Sequence, residues 1–432
     1  MHFRRKGILI ISLFLLVAAI FPNSTSKANE TIYDSRFDWR ERGYDFPVQD
    51  QGDCKAGYAF AGVEAVQATI WMNEKIRVDL SENNAIRCNW YALNDIDIHS
   101  CKGGDFKKLI NQFTQEGLVL ESCDPFDAMN LTCNQSCDTV YYVTEWLHIS
   151  QYQRVASVME IKELLDTYGP IYSEMEVNIP GFEDYDGSYV IHYEDPNVID
   201  NTHAVMIVGW DDELQHSHGK GAWIVKNSYG SDWGDNGYFY IAYGSAGIGN
   251  DVAVVTGYAK NSPGNKLYFY DEAGHTNQLS PDRANLNNGS ALAIFQVNSH
   301  EYTKAVEFWT SDKATVYLRI YSKFENDKPA GKLYELSNYQ VPYAGYYNIN
   351  LPFFERNLGD EIVVELEVNN NYYFGPITTD HYGYPSENNT WYKDVNGDWI
   401  SLNPLNVDAA IRLRTSEMTE NFSRVFLPIL WR

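Results

Sequence analysis

The chain has 432 residues, a formal net charge of −25, and a composition that is 44% hydrophobic, 15% aromatic and 21% charged. That length suits two or three domains, which excludes a small disulfide-only scaffold, and the composition excludes a disordered or collagen-like chain. The acidic balance repels phosphate polymers, so no nucleic-acid partner is expected.

The chain opens with basic Arg4, Arg5 and Lys6, an apolar run from Gly7 to Phe21, and then Ser26-Lys27-Ala28, which reads as a signal peptide over residues 1–28. The run is too short to span a bilayer, and no later stretch is longer. The mature chain is therefore expected to be secreted, extracellular or at the cell surface, with no transmembrane segment. Six cysteines follow, at positions 54, 88, 101, 123, 133 and 137, and none after that. An even count in an exported chain favours complete pairing, but counting alone leaves the connectivity open.

From Tyr58 to Glu74, the apolar residues Phe60, Val63, Val66, Ile70 and Trp71 recur at helical spacing without proline, which predicts one long, mostly buried helix. Further helices are predicted over Asp105 to Glu116 and Met159 to Tyr168, the latter stopped by Gly169-Pro170. Four short runs rich in β-branched and aromatic residues then read as an antiparallel sheet: Ala204 to Trp210, Ala222 to Lys226, Tyr238 to Tyr243 and Asp251 to Tyr258. Helices first and strands second imply an α+β domain. A turn-rich segment, residues 259–265, reads as a linker. Beyond it, alternating runs at Ala305 to Phe308, Thr315 to Tyr321, Gly345 to Leu351, Glu361 to Val368 and Ala409 to Leu413 predict an all-β sandwich over residues 266–414. Residues 415–432 form a tail with no function that can be read from them.

Two further motifs look structural. His216-Ser217-His218 has no third ligand at defined spacing and reads as a solvated loop, so no metal site is expected there. Asp394-Val395-Asn396-Gly397-Asp398 lacks the distal glutamate of a calcium loop and reads as a hairpin between Tyr392 and Trp399.

Four separated segments resemble the papain family of cysteine peptidases in order and spacing. They are Gln51 to Phe60, Cys101-Lys102-Gly103-Gly104, Thr202-His203-Ala204-Val205, and Trp223 to Gly234. The resemblance covers residues 37–258 and implies a two-lobed papain-like domain, a helical lobe plus an antiparallel β lobe. It implies that Gln51 donates to an oxyanion, that His203 shuttles a proton and that Asn227 orients His203. It also implies that Gly103, Gly104 and Trp233 contact an extended peptide or protein substrate, and that no cofactor is used. The implied disulfides are Cys54 with Cys101 and Cys88 with Cys133, leaving Cys123 for Cys137.

The position that holds the attacking cysteine in that family is Gly57, which has no side chain and cannot form an acyl-enzyme. Tyr58 and Tyr229 stand where the family pattern has tryptophan. The eight or so residues between Ala28 and Phe37 are too few for the long inhibitory propeptide of most members. Tyr270 to His275, Ala305 to Thr310, Arg319 to Tyr321 and Gly345 to Ile349 resemble a lectin-like β domain, which implies glycan as a partner of the C-terminal module.

The expected function is that of a secreted pseudopeptidase with a retained peptide-binding cleft. Two alternatives stand beside it: an active cysteine-type endopeptidase using another thiol, Cys54 being the nearest, and a carbohydrate-binding or adhesion protein acting through the β domain.

Overall fold

The computed structural model describes residues 33–418 except for 95–99, 130–131, 151–153, 195–201, 282–286, 355–360 and 371–374. Residues 1–28, expected to be a signal peptide, and residues 419–432 of the tail lie outside the described residues. Helix α1 (Gly57–Glu74) is the core of the first lobe, and every residue from Gly57 to Trp71 except Glu64 is buried. A helix apolar all round must be surrounded, and its small residues set how closely neighbours approach. At Gly62, an added Cβ would lie 2.4 Å from Leu109 Cδ2.

The short helices α2 (Glu82–Arg87) and α3 (Trp90–Leu93) follow, capped by Ser81 and Asn89. Helix α4 (Phe106–Gln115) starts at Asp105, whose side chain accepts from the backbone N–H of Lys108, and buries Phe106, Leu109, Ile110 and Phe113. Helix α5 (Val158–Tyr168) opens with a Ser157/Glu160 capping box and ends at Gly169, which has φ +94°. Three disulfides staple the helical lobe: Cys54–Cys101, Cys88–Cys133 and Cys123–Cys137.

The strands of the first half are β1 (Arg36–Asp38), β2 (Tyr141–His148), β3 (Ile171–Glu176), β4 (Thr202–His216), β5 (Gly219–Lys226), β6 (Tyr238–Ala242) and β7 (Asn250–Lys260). They are followed by β8 (Asn265–Tyr268), β9 (Asn277–Leu279), β10 (Asn288–Gln296), β11 (Glu301–Thr310), β12 (Ala314–Glu325), β13 (Lys328–Val341), β14 (Ala344–Asn350), β15 (Glu361–Asn370), β16 (Ile377–Asp380), β17 (Thr390–Lys393), β18 (Trp399–Ser401), β19 (Asp408–Ala409) and β20 (Ile411–Glu417). Residues 394–398 turn between β17 and β18, which pair Lys393 with Trp399, so that motif is a hairpin.

An 11-stranded sheet runs β6-β5-β4-β3-β7-β2-β14-β11-β20-β8, with β1 added on β4. It continues across the turn at residues 261–264, so four strands of the C-terminal half share a sheet with the first half. The junction is β2, which pairs with β7 on one side and with β14 on the other. Gly345 makes that junction possible: its φ is +150°, and a Cβ there would lie 2.2 Å from Trp146 O.

The other large sheet of the C-terminal half, β13-β12-β15-β10-β17-β18, has six strands, and β19-β16-β9 form a third. Strand β12 alternates strictly, burying Ala314, Val316, Leu318 and Ile320. Rings bridge the two large sheets, Phe308 to Tyr339 and Tyr268 to Phe295. The whole is an α+β two-lobed domain followed by an all-β domain.

A buried polar seam joins the two halves, which belong to one compact unit from Ser35 onward. Arg412 on β20 and Asp271 are both fully buried and paired at 2.7 Å. Arg412 also donates to Thr114 Oγ1 and Asn111 Oδ1 on α4. Beside it, Arg414 pairs with Glu307, whose other oxygen accepts from Tyr346 Oη. The α3–α4 region grips the backbone that leaves β8, through Gln115 to Asp271 O, Asn111 to Glu272 O and Tyr91 to Ala273 O.

Candidate active site

Gly57 is the first residue of α1, so unpaired backbone N–H groups point at whatever lies in front of it. What lies in front is His203, on β4. An ideal Cβ on Gly57 would sit 2.5 Å from both Cε1 and Nδ1 of the imidazole. The ring therefore occupies space that a side chain at position 57 would need. Its far nitrogen, Nε2, is 2.8 Å from Asn227 Oδ1, which also accepts from the Ser228 N–H at 2.9 Å. An amide oxygen can only accept, so Nε2 carries the proton and Nδ1 presents a lone pair toward Gly57.

His203 is 8% exposed, and burial pulls its pKa down to about 4, only partly offset by the hydrogen bond to Asn227. The ring is neutral at physiological pH. A lowered folded-state value means that the unfolded chain takes up the proton first as pH falls. This neutral ring therefore contributes about 3 kcal/mol of stability above pH 6.5 that is lost as pH falls toward 4. Urea unfolding at pH 7.5 and 4.5 is expected to show a smaller pH-dependent loss in His203→Gln than in the native chain. Equal losses would dismiss this account.

Gln51 is tied into the same structure. Its Oε1 accepts from Ser228 Oγ at 2.7 Å, and its Nε2 donates to Cys54 O at 2.6 Å. An amide NH2 has two hydrogens, so one remains for a ligand. Tyr229 lies against His203 at 5.0 Å between ring centroids.

A cleft of about 300 Å³ brings together Gln51, Gly57, Gly103, Gly104 and His203 with Tyr58, Glu174 and Tyr229. The two glycines differ. Gly103 exchanges both backbone hydrogen bonds with Ser100, whereas no backbone bond ties Gly104 to the described residues. A Cβ on Gly104 would meet the Tyr58 ring at 2.4 Å, so glycine there is required by close packing. Trp233 does not line the cleft. It stands behind Tyr229 at 5.4 Å in an aromatic cluster with Phe182, and donates its indole N–H to Glu183 O.

Sequence reasoning missed Ser228, which fixes Gln51, and Glu174, whose buried carboxyl is raised by desolvation and by Asp251. The only local signal for Glu174 was a carboxylate within the buried run Ile171–Glu176.

Residues 33–256 match the papain family cysteine protease profile. The chain belongs to the papain family. Residues 267–407 match a lectin-like domain. Testin-2 of Rattus norvegicus is 28% identical over 210 residues, covering 48% of this chain and 60% of that protein. Procathepsin L of Rattus norvegicus is 30% identical over 210 residues, covering 48% of this chain and 59% of that protein. The chain thus spans about three fifths of the length of these curated relatives.

Among solved structures, the clostridial cysteine protease Cwp84 after propeptide cleavage has a TM-score of 0.73 at 19% identity, covering 89% of this chain and 100% of that one. The cysteine protease and lectin-like domains of Cwp84, a surface layer associated protein of Clostridium difficile, give 0.72 at 19% identity, covering 90% of each chain. This likeness concerns the fold, a papain-family domain followed by a lectin-like domain. Among the described residues, no helix is long and apolar enough to cross a membrane.

Proposed function

We propose that this chain is an exported papain-family homologue that has lost peptidase catalysis and kept a cleft for an extended peptide or protein segment. The observation that carries this reading is Gly57, which offers no nucleophile in front of His203 Nδ1. The cysteines support it: all six are in disulfides, so no thiolate stands by to replace the missing one, and Cys54 is held by Cys101. The open backbone of Gly104 and the spare Gln51 N–H support peptide binding, since main-chain hydrogen bonds hold an extended strand whether or not it is cut. Export is supported by the basic-then-apolar start and by three disulfides, which persist in oxidising compartments.

The test is hydrolysis of a broad fluorogenic peptide set by the native chain, with and without a thiol-directed covalent inhibitor. No inhibitor-sensitive turnover is expected. Such turnover would sink the reading and make Cys54 the next residue to substitute.

A second reading concerns the lectin-like domain. Tyr382 and Tyr384 are 60% and 74% exposed on one loop, and aromatic rings stack on pyranose faces. A glycan array is expected to show binding by the native chain that Tyr384→Ala abolishes. An empty array would leave the domain as a scaffold for the first half.

A further inference from the structure

Strands β4 and β5 form a hairpin in which His216 pairs with Gly219 and Ser217-His218 make the turn. Gly219, at φ +147°, supplies the backbone conformation that ends the turn. The tip therefore carries two imidazoles side by side, and the sequence offers them no third ligand.

The third comes from the segment Ile191 to Glu194, which is pinned against the sheet from the other side. The Ile191 N–H donates to Tyr240 O at 2.8 Å, and the Ala242 N–H donates to Ile191 O at 2.9 Å. The Tyr193 N–H donates to Ser245 Oγ at 2.6 Å, and Tyr193 O accepts from the Ala246 N–H at 3.1 Å. With the backbone held on both sides of it, His192 lands on the hairpin tip. Its ring stacks on His218 at 4.1 Å and on His216 at 5.1 Å, and its Nε2 lies 3.6 Å from Glu194 Oε1. One ligand atom from each of His192, Glu194 and His218 lies within 4.8 Å of the other two.

We propose that His192, Glu194 and His218, with His216 adjoining, bind a divalent transition metal ion, zinc in particular, at the outer edge of the β lobe. Imidazole nitrogens with one carboxylate are a donor set suited to zinc and unsuited to calcium or magnesium. Zinc bonds of about 2.0–2.2 Å require donors closer together than 4.8 Å. Glu194, with 71% of its side chain exposed, and His218, on the turn, close that gap by side-chain rotation while His192 stays fixed.

The ion would act as a clamp rather than as a reagent. His203 lies on the order of 40 Å away along β4, at about 3.3 Å of rise per residue. What the clamp joins is the far end of the strand that carries His203 to the segment that precedes that strand.

The test uses the full, untagged chain titrated with zinc, read by calorimetry and by the thermal unfolding midpoint. One equivalent is expected to bind and to raise the midpoint with zinc concentration. His192→Ala and His218→Ala are each expected to weaken zinc binding by at least about tenfold, with the zinc-free midpoint close to native. His300→Ala, an exposed histidine elsewhere, is expected to leave binding unchanged, and calcium is expected not to compete. No zinc-dependent shift in the native chain, or zinc binding that survives in both variants, would overturn the proposal.

Discussion

A Gly57→Cys chain is expected to hydrolyse extended peptides in an inhibitor-sensitive manner, on the order of a thousandfold or more above the native chain. The elements that activate a thiol are in place around position 57. The N-terminus of α1 favours a thiolate over a thiol, and His203 already has Nε2 committed to Asn227 Oδ1 with Nδ1 facing the site. Gln51 holds a spare N–H beside it. The new side chain cannot enter without displacing the imidazole, because the Cβ alone would fall 2.5 Å from two ring atoms. Regained activity thus requires His203 to swing back while keeping Asn227, and a thiolate beside the ring would raise its pKa from the present value of about 4. Inhibitor-sensitive turnover in the variant, with none in the native chain, would mean that only the nucleophile is missing. Silence from both would mean that the ring no longer returns to a productive position.

Arg412→Ala is expected to cost about 3–5 kcal/mol of stability, the largest loss for any single side chain discussed. The guanidinium is fully buried and donates to Asp271, Thr114 and Asn111, so truncation strands a buried carboxylate and two polar groups together. Arg412→Met combined with Asp271→Leu is expected to recover much of the loss, since apolar groups of similar volume carry no desolvation cost. Chemical denaturation of the two variants beside the native chain checks both statements. A single variant within about 1 kcal/mol of native would refute them. By contrast, removing the exposed Lys220–Glu213 pair is expected to change stability by under about 1 kcal/mol.

Much of this was legible from local pattern. The helix at α1 declares itself by apolar spacing, and Gln51, His203 and Asn227 by their place in recognisable segments. The pairings that join the halves were not legible, because they link residues far apart in the chain. Strand β2 sits among helices and disulfide loops, and its partner β14 comes some two hundred residues later. Arg412 falls in a run that reads correctly as a strand, but nothing local says that a charge there is buried against α4. The same reasoning explains His216 and His218, whose neighbour His192 is supplied by the fold alone.

The continuous sheet also bears on what happens when the chain is divided. Severed after β7, the first half would present β2 as a bare edge, with the backbone of Trp146, Leu147 and His148 left without its β14 partner. Such an edge is a template for pairing with another copy of itself. In the intact chain β14 occupies that edge, so cutting the chain between the two halves exposes backbone that the lectin-like domain otherwise pairs.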